Sequence, residues 1–233
     1  AILNNNKIIG WPTEGKICVP AQGACGNGYP ALNPFPNAFN KNVVDIDGGG
    51  YGGLVLFEDG TITGWGSWNS FPAPSGLSVS ELNSIQGNVT GISCSLSYFG
   101  VLLNDGHVKT WFINDQPWAS WLDSSLLDQE DLDRLKNPPN EIQGNTKQLE
   151  LALERGYAVL NDSTAVCWST SGNSSLSFWN TTKIPQAIQG KISKISASNY
   201  SVMVLLNNGT VNYWGSLYSD NGFIQPIPSG VNS

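Results

Sequence analysis

A single histidine, a single methionine and a charged fraction of only 12% limit the chemistry open to this 233-residue chain. His107 follows the pair Asp105-Gly106, where an exposed polar side chain on a strand is the expected occupant, and no second histidine or Cys/His cluster stands ready to hold a transition metal. Basic residues are scarce as well. Eleven Lys and Arg face 18 Asp and Glu, a net charge of -7 with no basic cluster to neutralise phosphates, so nucleic acid is not expected as a partner. No apolar run approaches the roughly 20 residues needed to span a bilayer, and membrane insertion by a helix is not expected. No charged-then-apolar leader opens the chain, and Ala1 is compatible with the start of a mature chain.

What the chain does hold is a phrase repeated five times. The copies run from Ala1-Ile2-Leu3-Asn4-Asn5-Asn6 to Trp11, Val55-Leu56-Phe57-Glu58-Asp59-Gly60 to Trp65, and Val101-Leu102-Leu103-Asn104-Asp105-Gly106 to Trp111. The last two run from Ala158-Val159-Leu160-Asn161-Asp162-Ser163 to Trp168 and from Val204-Leu205-Leu206-Asn207-Asn208-Gly209 to Trp214. Each is an apolar run, a polar turn, a short β-prone run and a tryptophan, and the register never slips. The second landmark is Ile-Gln-Gly, at Ile85-Gln86-Gly87, Ile142-Gln143-Gly144 and Ile188-Gln189-Gly190, always at the same distance before the next tryptophan. A further β-prone run follows it, as in Val89–Cys94 and Ile192–Ser196.

A fixed period of this kind marks stacked units, each a hairpin unable to bury its apolar face alone. With 40% hydrophobic residues the chain can bury a sizeable core. The expectation is one all-β domain over residues 1–233, a β-propeller of about five blades built from units of about 46 residues. Each blade would have three or four antiparallel strands, with a two-residue Asp-Gly or Asn-Gly turn whose central residues both take positive φ. A short helical insertion is expected near residues 120–135. The N- and C-terminal segments are expected to share one blade, which would leave a seam open to self-assembly by strand addition.

At Val43-Val44-Asp45-Ile46-Asp47-Gly48-Gly49-Gly50-Tyr51, leading to Asp59-Gly60-Thr61-Ile62-Thr63-Gly64-Trp65-Gly66, the chain resembles the regulator of chromosome condensation repeat family. Gly209-Thr210-Val211 to Trp214-Gly215 is the next-best copy, whereas Ser163 stands in place of the turn glycine and Ser169 follows Trp168. The resemblance implies a propeller. It transfers no activity, because propellers of this family serve as exchange factors, inhibitors and scaffolds.

Four cysteines and six Asn-x-Ser/Thr sequons point outside the cell. Cys18 and Cys25 lie in a Pro/Gly-rich insertion that a short disulfide loop would order. Cys94 and Cys167 fall in strand runs, where a bridge between neighbouring strands and two buried free thiols are both open. The sequons are Asn88, Asn161, Asn173, Asn180, Asn199 and Asn208, most of them at hairpin tips or in expected loops. A secreted, glycosylated protein is the expectation.

No catalytic constellation, cofactor motif or metal site is expected. Asp45 and Asp47 alternate on one strand face, and Asp128, Glu130, Asp131 and Asp133 crowd the insertion. The former lack a defined partner and the latter lack the spacing and turn glycine of a calcium loop. The five in-register tryptophans read as packing between blades. Trp68, Trp118, Trp121 and Trp179 fall outside that register and are the candidate ligand-binding residues, since a flat apolar ring docks at small entropic cost. The expected function is therefore a non-catalytic extracellular module that binds or assembles with a protein through propeller-face loops. The alternatives are a secreted lectin using the loop tryptophans and a glycoside hydrolase using loop carboxylates.

Overall fold

In the computed structural model the described residues are 41–49, 52–66, 77–95, 98–112, 129–153, 155–170, 182–198 and 200–215. They form four three-stranded antiparallel sheets. The first holds β1 (Val43–Gly48), β2 (Gly52–Phe57) and β3 (Ile62–Gly66). The second holds β4 (Val89–Cys94), β5 (Tyr98–Leu103) and β6 (Val108–Phe112). The third has β7 (Thr146–Ala152), β8 (Arg155–Leu160) and β9 (Ala165–Ser169), and the fourth β10 (Ile192–Ala197), β11 (Ser201–Leu206) and β12 (Val211–Gly215). Two α-helices lie between them among the described residues, α1 (Val79–Ile85) and α2 (Gln129–Lys136). The insertion expected near 120–135 is helical from Gln129, while residues 120–128 lie outside the described residues.

The inner strands β1, β4, β7 and β10 stand beside one another in series, so that each sheet lays a face on the next as a blade does. Three apolar joints result. Leu54, Leu56 and Ile62 meet Ile92, Phe99 and Val101; Leu102, Val108 and Phe112 meet Leu149, Ala158 and Leu160; Tyr157, Val159 and Ala165 meet Ile195, Val202 and Val204. A middle strand caught between two joints is buried on both faces, which explains why Tyr98–Leu103 and Arg155–Leu160 read as nearly unbroken apolar runs. Strand β11 instead alternates. Val202 and Val204 are buried against the third sheet, but Met203 is 50% and Leu205 36% exposed, whereas their counterparts Tyr157 and Val159 are both at 0%.

The in-register tryptophans serve the joints. Trp111 is buried in the first and Trp168 in the second, and Trp214 packs on the third. Each lies across its sheet from a β5-type residue, in the pairs Phe99↔Trp111, Gly156↔Trp168 and Val202↔Trp214.

The Ile-Gln-Gly landmark is an inter-blade clamp. Its isoleucines are buried. Gln86 Nε2 donates to the Ile62 carbonyl at 3.0 Å while its Oε1 accepts the Ile62 N–H at 2.8 Å. Gln143 does the same to Val108 (3.2 and 2.9 Å) and Gln189 to Ala165 (2.9 and 2.8 Å). An amide side chain is suited to this task because it offers a donor and an acceptor side by side, matching one residue's backbone N–H and C=O.

The hairpin turns differ from expectation. They are three-residue loops: Phe57 N–H donates to the Thr61 carbonyl at 2.9 Å and Gly60 N–H to the Phe57 carbonyl at 2.9 Å. Only the last loop residue has positive φ, at Gly60, Gly106, Ser163 and Gly209, so the left-handed requirement falls on one position. The preceding Asp or Asn caps the loop through its side chain, as Asp59 Oδ1 does for the Thr61 N–H at 3.0 Å.

This last loop residue also carries the blade-to-blade contact. Gly60 O accepts from Gly87 N–H (3.0 Å) and Val89 N–H (3.1 Å), and Gly106 O from Gly144 N–H (3.1 Å) and Thr146 N–H (3.3 Å). At Ser163 only the second bond recurs, from Ile192 N–H at 2.9 Å. Space explains it, since a Cβ at Gly60 or Gly106 would fall 2.8 Å from the next blade's backbone. Ser163 carries such a Cβ, and its hydroxyl instead accepts from Lys147 Nζ at 2.9 Å and Asn207 Nδ2 at 3.3 Å.

Candidate binding face

The strand register assigns each end of the sheets a different character. Inner strands end at Gly48, Cys94, Ala152 and Ala197, and outer strands end at Gly66, Phe112, Ser169 and Gly215. The pairs Gly48↔Gly53 with Gly52↔Gly66, and Ala152↔Arg155 with Arg155↔Ser169, place both sets at the same end. The segments that follow the outer strands, and carry all four out-of-register tryptophans, therefore depart from that end. At the opposite end stand the uniform three-residue loops and the glutamine clamps.

Hydrogen bonds across the joints order the departing end. Asp47 Oδ2 accepts the Cys94 N–H at 2.7 Å, Ser93 Oγ accepts the Leu151 N–H at 2.9 Å, and Glu150 Oε1 accepts the Ala197 N–H at 3.0 Å. Gln148 adds a two-point clamp on Ile195, at 2.9 and 2.7 Å. These contacts link residues of adjacent inner strands, a relation the sequence alone does not reveal.

Burial raises the Asp47 and Asp45 carboxyls above the ordinary range, with the Asp47 charge adding to the effect on Asp45. Glu150 is pushed up to about 7, chiefly by burial and further by the charge of Asp47, against the opposing bond from Ala197. Both Asp47 and Glu150 are engaged in the joints. The acidic insertion is likewise occupied: Glu130 pairs with Arg134 at 2.6 Å, Asp133 accepts from Gln129 at 2.9 Å, and Asp131 is buried. Among the described residues no three His, Cys, Asp or Glu side chains gather as a metal cluster. His107 is exposed, its Nδ1 3.1 Å from Asp105 Oδ1.

Cys94 and Cys167 are free thiols and not paired in a disulfide, the second of the two arrangements the sequence left open. They sit in different sheets, Cys94 in the first joint and Cys167 against the third. Desolvation raises both, Cys167 to about 12. Cys18 and Cys25 lie outside the described residues. Of the sequons, Asn88, Asn161 and Asn208 are exposed, while Asn173, Asn180 and Asn199 lie outside the described residues. The same holds for Trp68, Trp118, Trp121 and Trp179.

Two features escaped the sequence reading. Helix α1 is closed by a capping box, with Ser78 Oγ accepting the Glu81 N–H at 3.2 Å and Glu81 Oε2 the Ser78 N–H at 3.0 Å. The Ser-x-x-Glu pattern that signals it is present in the sequence. Arg155, inside an apolar strand run, is buried at the start of β8.

No family model matches the sequence, and no curated protein matches it. Solved structures do. The CRINKLY WD40 ectodomain of the Arabidopsis thaliana receptor kinase ACR4 is 18% identical over 77% of this chain and 52% of its own, with a TM-score of 0.50. Yeast RCC1 (Prp20), in its structure with Kap60, is 16% identical over 76% of this chain and 43% of its own, with a TM-score of 0.50. Human WBSCR16 is 13% identical over 77% and 49%, with a TM-score of 0.51. The chain thus spans about half the length of these proteins, and at such identities the likeness concerns fold alone. In its fold the chain resembles the RCC1-like and WD40 propellers.

Proposed function

We propose that this chain is a non-catalytic module that binds a protein partner through the segments leaving the outer strands. The observation that carries this reading is the asymmetry of the two ends. One end repeats the same three-residue loop and glutamine clamp from blade to blade. The other sends out segments that differ in length and sequence from blade to blade, over a rigid base. Yeast RCC1 was solved with Kap60 bound, which lends support by analogy only. An extracellular setting with glycans is part of the proposal, supported by the exposure of Asn88, Asn161 and Asn208.

A fifth blade belongs to the same reading. Met203 and Leu205 offer the face that Tyr157 and Val159 bury in the preceding blade. In register, Ala1, Leu3 and Trp11 correspond to the residues of later hairpins that face the preceding sheet, and so match that face. Ile2 and Ile8 match the cluster of Val43, Val55 and Phe57 on the other side.

The test is site-specific photocrosslinking in fluid from the natural source. A crosslinker at Trp68 or Trp179 should yield protein adducts, and one at Asp105, at the uniform end, should not. Equal labelling at all three positions, or none at the tryptophans, would remove the reading. Binding on a glycan array that disappears with Trp68→Ala or Trp179→Ala would favour the lectin instead.

A further inference from the structure

Arg155 is the least satisfied charge among the described residues. The side chain is 2% exposed, and its Nε and Nη1 are buried without a hydrogen-bond partner. A buried guanidinium in this state destabilises the fold unless a counter-charge meets it. The register places it on the face of β8 that looks toward the fourth blade, two residues before Tyr157.

The equivalent position one blade earlier is Tyr98, whose polar atom is satisfied. The Tyr98 hydroxyl donates to the Leu135 carbonyl at 2.6 Å and accepts from Trp168 Nε1 at 3.2 Å. Among the described residues of the third and fourth blades, no side chain or carbonyl accepts from the Nε or Nη1 of Arg155. Strands β7 to β12 carry one carboxylate, Glu150, which is bound to Ala197 and responds to the charge of Asp47. Glu154, which precedes Arg155 in the chain, lies outside the described residues. Cys167 lies within the field of Arg155, which lowers its thiol against the stronger upward push of burial, but at about 12 it remains a neutral thiol. Charge in the third and fourth blades points the same way. The chain as a whole has a net charge of -7, yet residues 146–215 hold Lys147, Arg155, Lys183, Lys191 and Lys194 against three carboxylates.

We infer that Arg155 is the receptor of an anion site between the third and fourth blades, and that its ligand is a carboxylate from an acidic side chain of the protein partner. A carboxylate offers the acceptor oxygens that the unmet N–H groups lack, and the ion pair forms away from water, where it is strong. The partner's identity as a protein rests on the proposed function. The anion site itself does not.

The experiment is thermal unfolding of the full chain in sodium acetate, sodium phosphate and sodium chloride at matched ionic strength. Acetate should raise Tm by several degrees over chloride, in proportion to the logarithm of its concentration above Kd. Arg155→Met should abolish that increment and should be at least as stable as wild type in chloride, because it removes an unpaired buried charge. An acetate increment unchanged by Arg155→Met, or no increment in wild type, overturns the site. A larger response to phosphate overturns the carboxylate assignment. Should Arg155→Met fail to fold, titration of the wild-type Arg155 Nε–H resonance with acetate decides, and a resonance that does not move refutes the inference. An acetate response without crosslinked partner would defeat the proposed function and leave the anion site standing.

Discussion

Gly156 lies directly across the third sheet from Trp168, and a methyl group at that glycine would fall 2.1 Å from the indole Cζ2. The ring occupies the space that a side chain would need. Gly156→Ala should therefore force the indole out of the second joint and break its bond to Tyr98, destabilising the protein by about 3 kcal/mol or more. Urea unfolding followed by tryptophan fluorescence would measure this, and a loss below about 1 kcal/mol would show that the ring can move at little cost.

The glutamine clamps should be worth more than their partial burial suggests. Gln143→Ala leaves both the N–H and the C=O of Val108 without their partner, an expected loss of about 1 to 3 kcal/mol in equilibrium denaturation. Gln143→Glu should be worse at pH 7, because it replaces the donor with a charge facing the Val108 carbonyl. Equal stability of the Glu variant and wild type would contradict the clamp.

Left-handed loop positions that look alike should respond differently. Gly106→Ala combines positive φ with a Cβ 2.8 Å from the Gly144 backbone and should cost about 2 to 4 kcal/mol. Ser163→Gly should change stability by less than about 1 kcal/mol, since relief at φ 67° offsets the lost bonds to Lys147 and Asn207. It should also bring the Gly190 amide onto residue 163 and slow that amide's hydrogen exchange.

Stability should fall with pH where Glu150 titrates. Its folded pKa, about 7, lies above the ordinary 4.5, so the folded state holds the proton more tightly than the unfolded chain. The group's contribution is fully present below about pH 4.5 and is lost as pH rises through about 7, a change on the order of 3 kcal/mol. Glu150→Gln keeps an acceptor for the Ala197 N–H and should match wild type near pH 4 while exceeding it at pH 8. Parallel stability curves for the two proteins would rule out this linkage.

The exposed face of β11 tests the fifth blade. If Ala1–Trp11 packs there, Leu205→Asp should cost over 2 kcal/mol, and a double-mutant cycle with Leu3→Ala should show coupling of about 1 kcal/mol. A cost within about 0.5 kcal/mol and no coupling would mean that the face stays in water.

Much of this architecture was legible because it recurs. The tryptophan register marked the joints, and Ile-Gln-Gly marked the period, though not the clamp it forms, since an apolar residue, an amide and a left-handed glycine are needed together at each of the three joints. The turn type was not legible from Asp-Gly alone, because two-residue and three-residue loops share that pair and differ only in φ at the first of them. Helix α1 was hidden by its seven residues, too few to show a period, although its capping box was in view. Asp47, Ser93, Gln148 and Glu150 could not be read as joint residues, because each partner lies one blade away and only the stacking brings them together. Arg155 looked like an ordinary strand residue until its neighbours were known.

The single bond at Ser163, where Gly60 and Gly106 each accept two, grades the array mechanically. The third joint makes up for this at its other end, where Gln148 holds Ile195 at two points and Glu150 holds Ala197, so a local opening between the third and fourth blades should start at the Ser163 loop and stop at those bonds. Arg155 stands at that firmly held end, so the seam can loosen at the serine while the buried guanidinium stays enclosed.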